Sequence, residues 1–327
     1  MKILFISSGT SKRGVSPLVK SQGRSIDEKG HSVDYFTVKE GGLTGYLGAA
    51  RQLRKYLNEH ESFDLLHAHY GLSALTALLG KQQGMPLVVS FMGDDVMGSK
   101  RLDGSVTLFS RFLVQLNRFM ARFFYDAVIV KSDEMKERLG LERVHVIPNG
   151  VNLDAFYPEE KRTVRKRLGT QDDEKMVLFV SNPERPEKNY ALAERSVNLL
   201  NEEGEKILLK ALYGQKRDTV RDWMNATDVM VLTSYHEGSP NVIKEAMACN
   251  CPVVSTDVGD VKEVVGETEG CWMGGYDSKD FAAQLQRALE FAKNQGRTKG
   301  RKQILRSGLD KESIAKRIIG VYREVLG

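Results

Sequence analysis

Two glutamates eight positions apart, Glu237 and Glu245, bracket the segment Gly238-Ser239-Pro240-Asn241-Val242-Ile243-Lys244, which reads as the start of a helix. Ser239 is a good N-cap, and Pro240 suits the first helical position, where its missing N–H costs nothing. The backbone donors of Asn241 and Val242 then point outward at the positive end of the helix dipole and offer a pocket for a phosphate. Glu237 precedes that pocket. Glu245 lies about 9 Å further along the helix axis, so the two carboxylates flank an anion site and each can accept hydrogen bonds from hydroxyls. A sugar, a diphosphate and a ribose have that order. A pair of glutamates at this spacing, taken alone, is also what a solvated helix face looks like.

Other segments extend the pattern. Glu245-Ala246-Met247-Ala248-Cys249-Asn250-Cys251-Pro252 leads through Val253-Val254-Ser255 to Asp257-Val258-Gly259-Asp260, a helix, a buried strand and a glycine turn, and Asn225-Ala226-Thr227-Asp228 opens the strand before it. Further upstream stand His67-Ala68-His69-Tyr70-Gly71, Ile147-Pro148-Asn149-Gly150-Val151 and Pro186-Glu187-Lys188-Asn189. In this order the motifs resemble those of the retaining glycosyltransferases of family four, which take sugars from nucleotide donors. The resemblance covers most of the chain.

The resemblance implies roles. Glu237 orients sugar hydroxyls, Glu245 grips the ribose, and Ser239, Asn241 and Val242 cradle phosphate. The loop Gly9 to Pro17 corresponds to the one that closes over the donor diphosphate; Gly14 lets the backbone approach a phosphate, and Ser16-Pro17 is a second N-cap and proline first turn. His69 is expected near the donor sugar and its phosphate, with His67 on the opposite strand face as a scaffold residue. Relatives place an arginine about five residues before the lysine of the cationic clamp; here Pro183 occupies that spacing, and Arg185 stands three before Lys188. Both cations can still reach a diphosphate, Arg185 as a fork and Lys188 as a point charge. Met92 stands where relatives often carry histidine, and the adjacent Asp94-Asp95 reads as an acceptor-hydroxyl contact or a helix cap rather than a metal site.

No residue pair presents itself as nucleophile plus acid/base at a reacting carbon. In the family's retaining route the acceptor attacks from the face the diphosphate leaves, and a donor phosphate oxygen takes the acceptor proton. No metal is implied, since a helix dipole and the Lys/Arg charge serve that role, and no cofactor beyond a UDP- or GDP-linked sugar as donor substrate.

These residues need a scaffold. Short apolar runs at Lys2 to Ser7, Ser32 to Phe36, Leu65 to Ala68, Leu87 to Phe91, Ala127 to Val130 and His145 to Ile147 alternate with helical patterns. The second half repeats the logic at Met176 to Val180, Lys206 to Ala211, Val229 to Leu232, Pro252 to Ser255 and Gly270 to Trp272. Alternation of this kind predicts an α/β chain with two parallel, Rossmann-like sheets. By resemblance this is the GT-B fold: an acceptor domain over 1–152 and a nucleotide-sugar domain over 153–327, facing across a cleft that holds the active site. The turn formers Pro148 to Asn152 mark the junction, a final helix over 313–326 packs across it, and the second domain looks abbreviated.

At 327 residues the chain suits two domains, and 41% hydrophobic with 28% charged residues is ordinary for a globular enzyme. The absence of a long apolar run or a signal-peptide pattern points to the cytoplasm. Cys249, Cys251 and Cys271 suit reduced core thiols. The net charge of +5 resides in residues 1–150, which hold 20 Lys+Arg against 15 Asp+Glu, while the remainder holds 28 of each. Within Ser105 to Tyr125, Arg111, Arg118 and Arg122 recur at helical spacing beside Phe109, Phe112, Leu113, Leu116, Phe119, Met120 and Phe123. That pattern fits a helix that covers a core with its arginines in solvent, and it also fits a peripheral contact with an anionic membrane.

The expected partners are therefore a nucleotide-sugar donor and a glycan or lipid-linked acceptor, at the inner face of the cell membrane, with no nucleic acid. A nucleotide-sugar epimerase or hydrolase of the same fold, or a non-catalytic sugar-binding subunit, are the competing readings.

Overall fold

The computed structural model describes residues 1–9, 14–60, 62–98 and 106–327. Residues 10–13 of the loop after the first strand, and Ser105, lie outside them.

Among the described residues, eleven strands form two separate sheets, each wholly parallel. The first contains β1 (Lys2–Ser8), β2 (Ser32–Val38), β3 (Leu65–His69), β4 (Leu87–Ser90), β5 (Ala127–Val130) and β6 (His145–Val146), in the order β2-β1-β3-β4-β5-β6. The second contains β7 (Lys175–Phe179), β8 (Ile207–Ala211), β9 (Val229–Leu232), β10 (Val253–Ser255) and β11 (Cys271–Met273), in the order β11-β10-β9-β7-β8. Each strand falls within a residue or two of an apolar run read from the sequence. Helices cover both faces of each sheet, which is why the strands read as continuous apolar runs. In β1, Leu4 and Ile6 join one core and Ile3 and Phe5 the other; in the second sheet Leu178 and Met230 are separated in the same way from Val177 and Val229.

Both orders reverse direction beside the first strand of their sheet. The chain runs from β1 out to β2 and returns to β3 on the other side; β7, β8 and β9 do the same. Such a switch point leaves a crevice beyond the strand carboxyl ends, where ligands of open α/β sheets bind.

The chain packs as two units, Met1–Pro148 with Lys311–Gly327, and Asn149–Asp310. This differs from a simple division at residue 152, because the final helix, Lys311–Leu326, belongs to the first unit. Its Ile314, Ala315, Ile318, Ile319, Val321 and Tyr322 are buried with Ile3, Phe5, Leu65 and Ile129. Each large side chain so buried contributes about 1.5–3 kcal/mol, which fixes the helix on the first sheet.

The helix Leu108–Phe123 departs most from expectation. It buries Ser110, Asn117 and Ala121, whereas Leu108, Phe109, Phe112, Phe119 and Phe123 are exposed. The aromatic stripe therefore does not cover the core. Asn117 sets this rotation, since its Nδ2 donates to the Asp95 carbonyl at 2.9 Å. No described helix is long and apolar enough to cross a membrane.

Candidate functional site

In the second unit the predicted residues gather on the loops that follow β7, β9 and β10. After β7 the chain makes a short 3-10 turn, Pro186–Lys188, capped by Asn189 in a left-handed conformation (φ 49°), which asparagine tolerates. After β9, Thr233 holds that turn in place: its hydroxyl donates to the carbonyls of Lys188 (3.0 Å) and Asn189 (2.9 Å), and the Tyr235 amide donates to the Glu187 carbonyl at 2.9 Å. With its backbone so fixed, Lys188 directs its ammonium at Glu237, donating to Oε1 at 2.5 Å. The Ser234 hydroxyl donates to the same oxygen at 2.7 Å. Arg185 extends outward and pairs with Glu187.

A second set of contacts holds the Glu237 loop from the β10 side. The Thr256 hydroxyl donates to the Ser234 carbonyl at 2.8 Å, and Tyr276 stacks on Tyr235 with its hydroxyl 3.3 Å from the Ser234 and Tyr235 carbonyls. Gly259 sits at φ +59°, and a Cβ there would stand 2.6 Å from the Gly238 carbonyl oxygen and 2.9 Å from that of Glu237. Only glycine meets both demands.

The helix after Glu237 runs Asn241–Ala248 with Pro240 as its N-cap, one residue later than the sequence suggests. Ser239 does not cap it. Its hydroxyl donates to Asp260 Oδ2 at 2.6 Å and accepts from the Lys244 ammonium, which itself pairs with Asp260 at 3.0 Å. All three are buried, so the local capping preference yields to a charge-assisted network that ties the helix start to the β10 loop. Pro240 is buried, while Asn241 and Val242 remain partly exposed. Its N-cap, Pro240, makes no side-chain hydrogen bond to the first amides, which by helix geometry point toward the N-terminus, the sense required for an anion. Burial pushes the Glu245 carboxyl up to about 7, against the pull of Arg217 and Lys244.

Lys244 and Asp260 were not singled out from sequence. The available signal was a lysine directly after the apolar pair Val242-Ile243, together with an acid just after the glycine turn.

In the first unit, Gly14 takes φ +66° with open space where a Cβ would project. The helix Pro17–Asp27 starts as read, with the Ser16 hydroxyl accepting from the Val19 amide at 3.4 Å. His69 is buried, and neither ring nitrogen has a hydrogen-bond partner among the described residues. Burial, reinforced by the charge of Lys131, pushes its pKa down to about 3, so the ring is neutral. His67 does not point to the opposite face: the two rings stack 4.3 Å apart, because residues two apart on a strand share a face. His67 is the scaffold member, held by the Tyr322 hydroxyl (2.5 Å) and Ser90 Oγ (2.8 Å).

Tyr70, next in line, lies at φ 82°, a conformation that costs a non-glycine residue about 1–3 kcal/mol. Asp95 clips the surrounding loops, accepting from the amides of Gly71 (3.2 Å), Met92 (3.0 Å) and Gly93 (3.0 Å). It lies inside the short helix Asp94–Met97, whose N-cap is Gly93, and fastens the backbone around that helix start.

Among the described residues no group of three or more His, Cys, Asp or Glu is arranged to hold a metal ion. What the arrangement offers is a lysine–carboxylate pair, a second carboxylate with a raised pKa, and outward-facing amides, all at the carboxyl ends of strands around a switch point.

Residues 16–150 match the family model described as "Glycosyl transferase 4-like domain", and residues 162–290 match "Glycosyl transferases group 1". TuaC of Bacillus subtilis, named as a teichuronic acid biosynthesis glycosyltransferase, is 29% identical over 223 residues, covering 62% of this chain and 56% of that protein. The chain thus spans little more than half the length of that relative. Among solved structures, sucrose-phosphate synthase of Thermosynechococcus elongatus has a TM-score of 0.76 at 20% identity, covering 99% of each chain. Anabaena HepE in complex with UDP and glucose has a TM-score of 0.72 at 17% identity, covering 99% of this chain and 100% of that one. At such identities these two structures establish the fold alone. Residues 16–150 and 162–290 thus each carry a glycosyltransferase-family domain, and the two parallel sheets are built as in the GT-B fold.

Proposed function

We propose that this chain is a retaining, metal-independent glycosyltransferase that moves a hexose-type sugar from a UDP- or GDP-linked donor to a hydroxyl of a glycan or lipid-linked acceptor at the inner face of the cell membrane. One observation carries the reading: Lys188 and Glu237 are held 2.5 Å apart beside the open start of the Asn241–Ala248 helix. This sets a cation for a diphosphate and an acceptor for sugar hydroxyls within one hydrogen bond of each other. The complex of HepE with UDP and glucose, and the name of TuaC, support a nucleotide-linked donor and a polysaccharide product.

In this reading the bond from the anomeric carbon to the donor phosphate oxygen breaks as the bond to the acceptor oxygen forms on the same face. The acceptor proton passes to the departing phosphate. Lys188, Arg185 and the amides of Asn241 and Val242 stabilise the charge that develops there, Gly14 lets backbone approach the diphosphate, and Ser239 holds the phosphate-binding turn through Asp260. Glu237 and His69 orient the sugar, and Glu245 accepts from the ribose hydroxyls.

The test is a panel of UDP- and GDP-linked sugars scored by product analysis and by the anomeric configuration of the new bond. Glu237→Ala and Lys188→Ala are each expected to lose at least about 100-fold in transfer with unchanged circular dichroism. Near-normal turnover in either variant would overturn the assignment. Conversion of the donor in the absence of an acceptor would replace transfer with epimerisation or hydrolysis.

A further inference from the structure

We propose that the exposed face of the Leu108–Phe123 helix docks on an anionic lipid bilayer, with its aromatic stripe at the acyl boundary and its arginines among the headgroup phosphates. The proposal deepens the lipid-linked part of the functional reading and rests on it for its purpose, although the docking itself is measurable without donor or acceptor.

The helix is amphipathic in the reverse of the usual sense. At 100° per residue, Ser110, Asn117 and Ala121 form its core-facing side, and all three are buried. Leu108, Phe112, Phe119 and Phe123 form the outer side, with exposures of 82%, 57%, 52% and 62%. Phe119 packs against Phe123 and Phe124, with ring centroids 5.1 and 5.9 Å apart, so the apolar surface is continuous. The rotation is fixed from beneath. Asn117 donates to the Asp95 carbonyl, and a Cβ on Gly71 would lie 2.4 Å from Asn117 Oδ1, so the polar side is fitted to the core and cannot be exchanged for phenylalanine.

Charge selects the occupant. Residues 108–123 contain Arg111, Arg118 and Arg122 and no acidic residue, and all three arginines are exposed along one flank of the stripe. The Arg122 guanidinium lies 5.7 Å from the Phe123 ring centroid. Phenylalanine beside arginine on one exposed helix face is the composition that settles into the plane of a negatively charged interface. A two-fold dimer through this face would set three arginines against three arginines with no acid on the helix to offset them, which disfavours a second copy.

Sedimentation of the full chain with vesicles tests the proposal. The probes are phosphatidylcholine vesicles with and without phosphatidylglycerol, at low and high salt, alongside the solution mass of the free protein. Binding is expected only to the anionic vesicles and is expected to weaken with salt. At about five-fold per arginine, Arg111→Gln, Arg118→Gln and Arg122→Gln together should lower partitioning about 100-fold. Phe112→Ser, Phe119→Ser and Phe123→Ser together should lower it at least ten-fold; these side chains are exposed, and unchanged circular dichroism verifies the fold. No binding, equal binding to neutral vesicles, or a dimer that the serine variant converts to monomer would each overturn it. An inactive transferase that still sediments with anionic vesicles would leave it standing, so failure of the functional reading is separately visible.

Discussion

The Lys188 ammonium and the Glu237 carboxylate, 49 residues apart in sequence, meet at 2.5 Å with only 17% and 16% of their side chains exposed. Each partly neutralises the other, so a phosphate arriving at Lys188 competes with Glu237 for the same cation. Glu237→Gln removes that competition while keeping shape. It is expected to bind UDP or GDP as tightly as the parent, or up to about ten-fold tighter, while a nucleotide sugar gains no advantage over the bare nucleotide. Lys188→Ala should weaken both. Isothermal titration decides, and equal loss of nucleotide affinity in the two variants would refute this division of labour.

Lys244 shows what supports the pair. It is fully buried and reaches Asp260 at 3.0 Å across the turn that carries Ser239. Lys244→Met leaves the Asp260 carboxylate without its countercharge and should cost about 3–5 kcal/mol in urea unfolding. Adding Asp260→Leu should restore most of that, because a buried pair replaced on both sides is far less costly than one broken. The double variant should still discriminate poorly between nucleotide and nucleotide sugar, since the Ser239–Asp260 hydrogen bond is lost and only the Thr256 and Tyr276 contacts still hold the Glu237 loop from the β10 side. Additive losses would show that the two residues do not act as a pair.

Sequence periodicity exposed the scaffold because buried parallel strands are continuous apolar runs, and Leu87 to Phe91 or Val229 to Leu232 have no other plausible use. It could not show that Ile314, Ile318 and Tyr322 return to Ile3 and Phe5, since no local pattern encodes a partner three hundred residues away. Periodicity also has no sign. The stripe from Phe109 to Phe123 was visible, but only Asn117 on the Asp95 carbonyl shows which side turns inward. At Ser239 a local rule competed with tertiary chemistry and lost to Lys244 and Asp260, while the same rule held at Ser16, where the serine hydroxyl does accept from Val19. The candidate site was legible as a set of residue types and loops; its supporting ion pair was not.

His69 carries two ring nitrogens without partners among the described residues, and burial, with help from Lys131, holds its pKa near 3. A folded pKa below the ordinary value of 6.5 means that the native state takes up fewer protons than the unfolded chain, so stability falls as pH drops below about 6.5. His69→Leu removes this liability along with the unsatisfied nitrogens. Relative to the parent it should gain up to about 2 kcal/mol between pH 8 and pH 5, read from urea midpoints, while losing transfer activity. A loss of more than about 2 kcal/mol at both pH values would instead mark His69 as part of the packed core.

Glu245 gives the opposite pH sign. Its carboxyl is raised from 4.5 to about 7, chiefly by burial, so the native state holds the extra proton and stability declines as pH rises between those values. Glu245→Gln should abolish that decline and, by pH 8, gain at most about 3 kcal/mol over the parent relative to their difference at pH 4.5. The ionised carboxylate is also the form that can only accept hydrogen bonds, as ribose hydroxyls require. Nucleotide affinity should therefore rise with pH through about 7 in the parent by an increment that Glu245→Gln lacks. If titrations at pH 6 and 8 show the same rise in both proteins, Glu245 does not contact the nucleotide, and its raised pKa reflects burial with no role in binding.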